Sequence, residues 1–127
     1  MDDAAAELDR LLAEATGADP AIDRAVAARF GADGGTEEGW SGSVEACVRL
    51  LHRVLPGWSW HVGWAPSGVV PYARLRHGQE RISAEGPTVP IALLRAILAA
   101  RRGERDPPAV APEPPPWRRP AGGAPAA

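Results

Sequence analysis

Three histidines and one cysteine are the residues of this sequence best suited to bind a metal ion or to act in nucleophilic catalysis. Their spacing matches no common metal-binding or catalytic motif. His52, His61 and His77 lack the short intervals of zinc ligands. Cys47 and His52 are five residues apart in a helical pattern, which puts them on different faces of one helix. A Ser–His pair of Ser83 with His61 shares a face by parity, but no known nucleophile motif surrounds it. The sequence therefore predicts no metal, no cofactor and no catalytic residue.

Basic and aromatic side chains recur at alternate positions in the second half of the chain. Tyr72, Arg74 and Arg76 lie two residues apart, and strand parity puts His61 and Arg81 on the same face. Guanidinium groups can contact phosphates, and a tyrosine ring can stack on a base. These five residues predict a polar binding face; the alternative is an ordinary solvated face of the sheet.

A helical hairpin is the first of the elements that would position this face. Apolar residues three and four apart predict a helix over 3–15. Asp19 and Pro20 then predict the start of a second helix, with Asp19 as its cap and Pro20 in its first turn. Residues 1–31 are thus predicted to be an αα-hairpin. Residues 32–42 are Gly-rich and acidic, which predicts a linker.

Residues 43–103 predict the order α-β-β-β-α. Short turns between the strand candidates favour an antiparallel three-stranded sheet, so the predicted fold class is α+β. The hairpin could also cover the polar face, which would give a three-layer α/β/α sandwich. The predicted strands are 58–64, 69–76 and 80–84, between helices over 43–55 and 88–102.

Tryptophans alternate along the first predicted strand. Trp58, Trp60, Val62 and Trp64 fall on every second residue, which indicates a strand with one apolar face. Their parity matches that of the apolar residues on the next two strands. The sequence therefore predicts that all four pack against the helices as a core layer.

The last segment, residues 104–127, is rich in Pro, Ala and Gly. Such a composition buries too little apolar surface to offset the entropy of ordering, so we expect a disordered tail. Trp117 lies in its PEPPPWRRP run. A Pro-rich segment of this kind can dock in an aromatic-lined groove, although it can equally serve as a plain linker.

Composition and charge bear on the cellular compartment in which this protein acts. The net charge of −2 neither favours nor excludes nucleic acid, and the single cysteine excludes a disulfide within the chain. No segment approaches the roughly 18 apolar residues of a membrane span. The acidic N-terminus lacks the apolar run of a secretory signal. Together these features predict a cytoplasmic protein.

Three motifs follow one another along the chain: LDRLLAEATGADPAIDRAVAARFG, WSGSVEACVRLLHRVLPGWSW and GPTVPIALLRAIL. In this order they resemble the motifs of a family of small phage and prophage proteins, the phage ABA sandwich domain family. The resemblance covers roughly residues 8–102, and the chain departs from the family pattern by Val89 in the last motif and by its long Pro-rich tail. It implies a phage or prophage setting in a bacterial cytoplasm, and no activity or catalytic residue.

These observations predict a small, non-enzymatic phage or prophage-derived protein. Its expected role is to bind a host or phage protein, for example to inhibit a host defence system. The alternative is an RNA- or DNA-binding module that uses the basic sheet face.

Overall fold

The computed structural model describes residues 3–30, 39–65 and 70–107. It confirms the α+β class and the antiparallel three-stranded sheet. None of the helices in these ranges is long and apolar enough to cross a membrane. The elements are α1 (Asp3–Glu14), α2 (Pro20–Phe30), a 3₁₀ turn (Trp40–Gly42), α3 (Val44–Val54), β1 (Ser59–Trp64), β2 (Pro71–His77), β3 (Glu80–Glu85) and α4 (Val89–Arg101).

Side-chain caps determine where three helices begin, as the sequence predicts. The Asp19 carboxylate accepts a hydrogen bond of 2.8 Å from the N–H two residues later, before α2. Ser43 and Thr88 each accept one from the N–H three residues later, before α3 and α4. Each bond satisfies a donor that has no partner within the helix. Gly103 ends α4 with a φ of 87°, a conformation that favours glycine.

Helix α4 lies at the centre of the molecule. One side packs on β2 and β3, and the others contact α1, α3 and the 3₁₀ turn. Small alanines on α4 allow this close approach from several directions. In the described residues α1 and α2 pack against α4 and the 3₁₀ turn, so no helix covers the opposite face of the sheet. The described layers are therefore sheet, α4 and outer helices rather than an α/β/α sandwich.

The end of the predicted linker belongs to the hydrophobic core. Trp40 and Ser41 are each only 1% exposed. The Ser41 N–H donates to the buried Asp23 carboxylate at 2.8 Å, and the Ser41 hydroxyl bonds the backbone at Asp19. These contacts join the hairpin to the other elements in one core, so the hairpin is not a separate unit. Residues 32–38 of the predicted linker lie outside the described residues.

The strands pair in the order β1-β2-β3 with β2 in the centre. The register places every second residue of the three strands on one polar face, in three rows across the sheet. We call this surface the polar face. Its rows are Ser59–Arg76–Arg81, His61–Arg74–Ser83 and Gly63–Tyr72–Glu85.

The parity of the tryptophans is as predicted, but two of them are not in the core. Trp58 is buried, whereas Trp60 is 41% and Trp64 is 57% exposed. The prediction of a complete core layer was wrong because α4 covers β2 and β3 and barely reaches β1. Trp60, Val62 and Trp64 thus form a partly exposed apolar strip on the helix side of β1. We call it the β1 strip.

Residues 104–107, the start of the predicted tail, are held along the outer edge of β3. The Asp106 N–H donates to the Arg81 carbonyl at 2.6 Å. The Arg105 guanidinium bonds the Glu80 carboxylate at 3.0 Å and lies 4.8 Å from the centre of the Trp58 ring. The first residues of the tail therefore cover the β3 edge. The rest of the tail, with Trp117, lies outside the described residues.

Candidate functional site

The polar face brings together the five predicted site residues of the sheet. His61, Arg74 and Arg76 are exposed, while Tyr72 and Arg81 are half-buried. Each comes from a strand of fixed register, so the sheet sets their relative positions. The sequence-based prediction of this grouping agrees with the structure, because alternation alone determines which side chains share a face.

Three arginines on this face lie close together. Arg76 and Arg81 are direct cross-strand partners, and Arg74 is two residues along β2. Like charges opposite each other destabilise a sheet. Within 3–30, 39–65 and 70–107, no carboxylate lies within ion-pair distance of these guanidinium groups. The cluster therefore concentrates positive charge that an anionic ligand would neutralise.

A small depression of about 220 Å³ lies within the arginine cluster. Its size suits a carboxylate or phosphate group rather than a whole cofactor, because ligand pockets usually exceed about 300 Å³. Guanidinium groups bind both anions through paired hydrogen bonds. The lining residues are Ser59, His61, Arg74, Arg76 and Arg81.

Tyr72 and His61 form a hydrogen-bonded aromatic pair beside the cluster. The Tyr72 hydroxyl and His61 Nε2 are 2.9 Å apart, and the ring centres are 5.7 Å apart. The Arg74 guanidinium lies 5.7 Å from the centre of the Tyr72 ring. A Cβ at Gly63 would lie 3.4 Å from that ring, so glycine there leaves the space that Tyr72 uses. The aromatic pair is held in place on the face.

Acidic side chains lie at the rim of the polar face. The Asp106 carboxylate accepts a hydrogen bond of 2.7 Å from the Ser83 hydroxyl, at the β3 edge. Glu85 is exposed beside Tyr72 at the end of its row. The rim is therefore mixed in charge, while the centre is basic. Asp106 is not among the residues that the sequence predicts for this face, because a residue in an irregular segment has no periodicity that indicates its neighbours.

A second, more open depression of about 690 Å³ lies at the Tyr72 end of the sheet. It adjoins the exposed Trp64 ring and so connects the polar face with the β1 strip. Aromatic and arginine side chains together are typical of protein-binding surfaces. Its lining residues are Trp64, Ala65, Tyr72, Arg74, Ser83, Ala84 and Glu85.

Cys47 lies in the core, away from both depressions. Its Sγ donates to the Trp40 carbonyl at 3.0 Å. Burial, together with the negative charge of Asp23, raises the pKa of the thiol to about 12. The thiolate is the nucleophilic form of cysteine, and it is essentially absent at neutral pH with such a pKa.

Ser83 and His61 share a row but do not form a pair. Arg74 lies between them on β2. Two strand spacings separate them by roughly 9–10 Å, beyond hydrogen-bond reach. The Ser83 hydroxyl donates to Asp106 instead. In the described part of the chain, no three His, Cys, Asp or Glu side chains lie close enough to hold a metal ion.

Comparisons with protein-family models, with curated proteins and with solved structures found no match for this chain.

Proposed function

We propose that this chain is a small non-enzymatic binding protein whose polar face engages an acidic surface of a protein partner. The observation that carries the proposal is the arginine cluster. Arg74, Arg76 and Arg81 lie together on a sheet face that no described helix covers, without a carboxylate partner in the described residues. The Arg81 guanidinium also donates to the Pro107 carbonyl at 3.4 Å. A partner that supplies carboxylates would relieve the cross-strand repulsion and gain charge-assisted hydrogen bonds.

The composition of the face supports a macromolecular partner. Tyrosine and arginine dominate the binding energy of many protein interfaces. Tyr72 is held by His61 and by the contact with Arg74, so little side-chain entropy is lost when a partner binds. The depression among the arginines is small, about 220 Å³, which suits one carboxylate of a protein surface better than a whole substrate molecule.

The resemblance to the phage ABA sandwich domain family supports the setting of this proposal. A phage or prophage protein in a bacterial cytoplasm meets host proteins and phage proteins as its first available partners. Inhibition or modulation of a host system, such as defence, requires only that the polar face occupy a surface of the target. No chemical step by this chain is needed.

A capture experiment with two matched triple variants tests the role of the arginine cluster. The test variant carries Arg74→Ala, Arg76→Ala and Arg81→Ala on the polar face. The control variant carries the same change at three exposed arginines on α2, α3 and α4. Both lose three positive charges, so only the location of the charges differs. The control positions are Arg24, Arg53 and Arg101.

The baits are wild type and both variants, and the sample is nuclease-treated lysate of a bacterial host. We expect one protein to be retained by wild type and by the control triple variant. The polar-face triple variant should recover at least tenfold less of it, because the charged contacts are lost. Equal recovery by wild type and the polar-face variant would refute the proposal.

Nucleic acid is the second candidate partner of the same face. The observation that favours it is the Tyr72 ring beside Arg74, because a base can stack on the ring while the arginines contact phosphates. A gel-shift experiment with single-stranded RNA and DNA tests this candidate. Binding should weaken steeply as salt rises, because released counterions drive the association. No shift at low salt would exclude this alternative.

A further inference from the structure

The two edge strands of the sheet, β1 and β3, differ in whether another segment of the chain covers them. The β3 edge is covered by residues 104–107, where the Asp106 N–H donates to the Arg81 carbonyl. The β1 edge has no further strand in the described part of the chain. An open edge presents unpaired N–H and C=O groups to any strand that can align with them.

The hydrogen-bond alternation shows which backbone groups face the open edge. The Ala65 N–H donates to the Val70 carbonyl at 2.8 Å, which makes Ala65 a residue bonded toward β2. Bonded and non-bonded pairs alternate in an antiparallel ladder. The odd-numbered residues of β1 therefore bond β2. The N–H and C=O groups of Trp60, Val62 and Trp64 point outward.

The side chains of β1 do not protect this edge. Natural edge strands usually carry lysine, proline, an inward charge or a bulge that prevents pairing. The sequence of β1, SWHVGW, contains no proline and no acidic or basic residue apart from His61. The rings of Trp60 and Trp64 are 41% and 57% exposed. The outward backbone groups and the β1 strip thus belong to the same three residues.

We propose that two copies of this chain pair through β1 as an antiparallel dimer centred on Val62. In this register Trp60 of one copy lies opposite Trp64 of the other, and the reverse pair forms by symmetry. Both pairs, and the central Val62 pair, use the outward backbone groups. On the polar side, His61 of each copy lies opposite Gly63 of the other, which has no side chain of its own and lies beside the Tyr72 ring of its own copy.

A second copy fits this edge for reasons of charge and area. The strand has no lysine, arginine or carboxylate, so self-pairing brings no formal like charges together, as it would for β2 or β3. The exposed fractions of Trp60 and Trp64 amount to roughly 250 Å² per copy if a whole ring side chain presents about 250 Å². The two copies together would bury about 500 Å² of tryptophan surface besides the paired backbone, less than the roughly 1,200 Å² of stable specific interfaces, so we expect a weak and reversible dimer.

The dimer has a consequence for the polar face. The two-fold axis of such a dimer is perpendicular to the plane of the sheet, so the polar faces of both copies lie on the same side. The two three-stranded sheets would form one six-stranded sheet with both arginine clusters on one surface. The dimer does not depend on the proposed function; if both hold, a partner meets two adjacent basic sites.

Sedimentation of the full chain tests the association. We expect a monomer–dimer equilibrium between about 1 and 200 µM, the range suited to a small interface. Trp64→Lys should weaken association at least tenfold, because it places a charge on the edge and removes a tryptophan pair. The matched control is Trp117→Lys, the same substitution in the Pro-rich tail, which should leave association unchanged. Circular dichroism verifies that both variants are folded.

Cysteine cross-linking tests the register. Directly opposed residues of a bonded pair have Cα atoms about 5.5 Å apart, within disulfide range. Val62→Cys should therefore yield a disulfide-linked dimer on mild oxidation. Trp60→Cys alone should not, because a four-residue offset separates the two copies by roughly 13 Å. A mixture of Trp60→Cys and Trp64→Cys chains should give the mixed dimer. Cys47 does not interfere because it is fully buried.

Three results would overturn the proposal. One is a monomer throughout the concentration series. Another is a dimer that Trp117→Lys weakens as much as Trp64→Lys does, since the tail would then hold the copies together. The third is equal cross-linking of Val62→Cys and Trp60→Cys chains, which would show that the copies meet in no fixed register.

Discussion

Trp40 provides the sharpest test of the packing, because a residue in a predicted linker proves to be a core residue. Trp40 is 1% exposed, and its backbone carbonyl accepts a hydrogen bond from the Cys47 thiol. A buried aromatic side chain covers about 150–250 Å², worth about 4–6 kcal/mol at 25 cal/mol per Å². Extended-chain areas are upper bounds, so we expect Trp40→Ala to cost about 3–5 kcal/mol, as other large core truncations do.

The matched control is Trp60→Ala, the same chemical change at a side chain that is 41% exposed. Only a little over half of the contact is lost there, and no closed cavity forms. We expect a cost of about 2 kcal/mol, below the range for fully buried residues.

Urea denaturation followed by circular dichroism measures both costs at about 2 µM protein, where association contributes little. With a slope of about 2 kcal/mol per M, Trp40→Ala should lower the midpoint by about 1.5–2.5 M. If Trp40→Ala fails to fold, Trp40→Phe supplies a smaller shift in the same direction. Equal midpoint shifts for Trp40→Ala and Trp60→Ala would refute the packing described for the 3₁₀ turn.

Three further predictions concern stability. Arg95 donates to the Leu12 carbonyl at 3.0 Å and to the Glu85 carbonyl at 2.8 Å, so Arg95→Ala should cost about 2–3 kcal/mol in urea denaturation. Arg95→Lys should restore less than half of the lost stability, since an ammonium group cannot reach both carbonyls. An Arg95→Ala variant as stable as wild type would show that these hydrogen bonds do not stabilise the fold. Burial raises the pKa of Cys47 from 9.0 to about 12, so its stabilising effect is complete below pH 9 and declines as the pH rises toward 12. Between pH 8 and 10.5 the stability of wild type relative to Cys47→Ala should fall by about 2 kcal/mol, and a constant difference would argue against the burial. Deletion of residues 104–127 should lower Tm by about 3–6 °C more than deletion of 108–127, because only the longer deletion removes the contacts of Arg105 and Asp106. Equal Tm values for the two deletions would show that these contacts do not stabilise the fold.

Local signals account for the parts of the fold that were predicted well. A cap such as Ser43 or Thr88 acts within three residues, so its partner can be inferred from the adjoining sequence. Alternation along a strand likewise places Tyr72, Arg74 and Arg76 on one face without knowledge of the fold. The candidate site was predictable for the same reason, because all of its members come from regular strands.

Long-range contacts account for the parts that were not predicted. Trp40 follows a Gly-rich segment, and nothing nearby in the sequence indicates that α4 and α2 pack against its turn. Arg105 lies in a Pro-rich context, but its partners Glu80 and Trp58 are distant in sequence. Composition describes the average behaviour of such segments, whereas specific contacts with distant residues determine the position of an individual residue such as Arg105.

Parity determines the face on which a side chain lies, and the layer above determines whether it is buried. One α-helix is about 10 Å across, and strands are spaced about 4.8 Å apart, so one helix covers about two strands. α4 covers β2 and β3, while α3 packs against α4 and leaves β1 uncovered. Trp60 and Trp64 are therefore exposed although their parity is correct. A second copy paired at β1 would supply the neighbours that this helix layer is too narrow to provide.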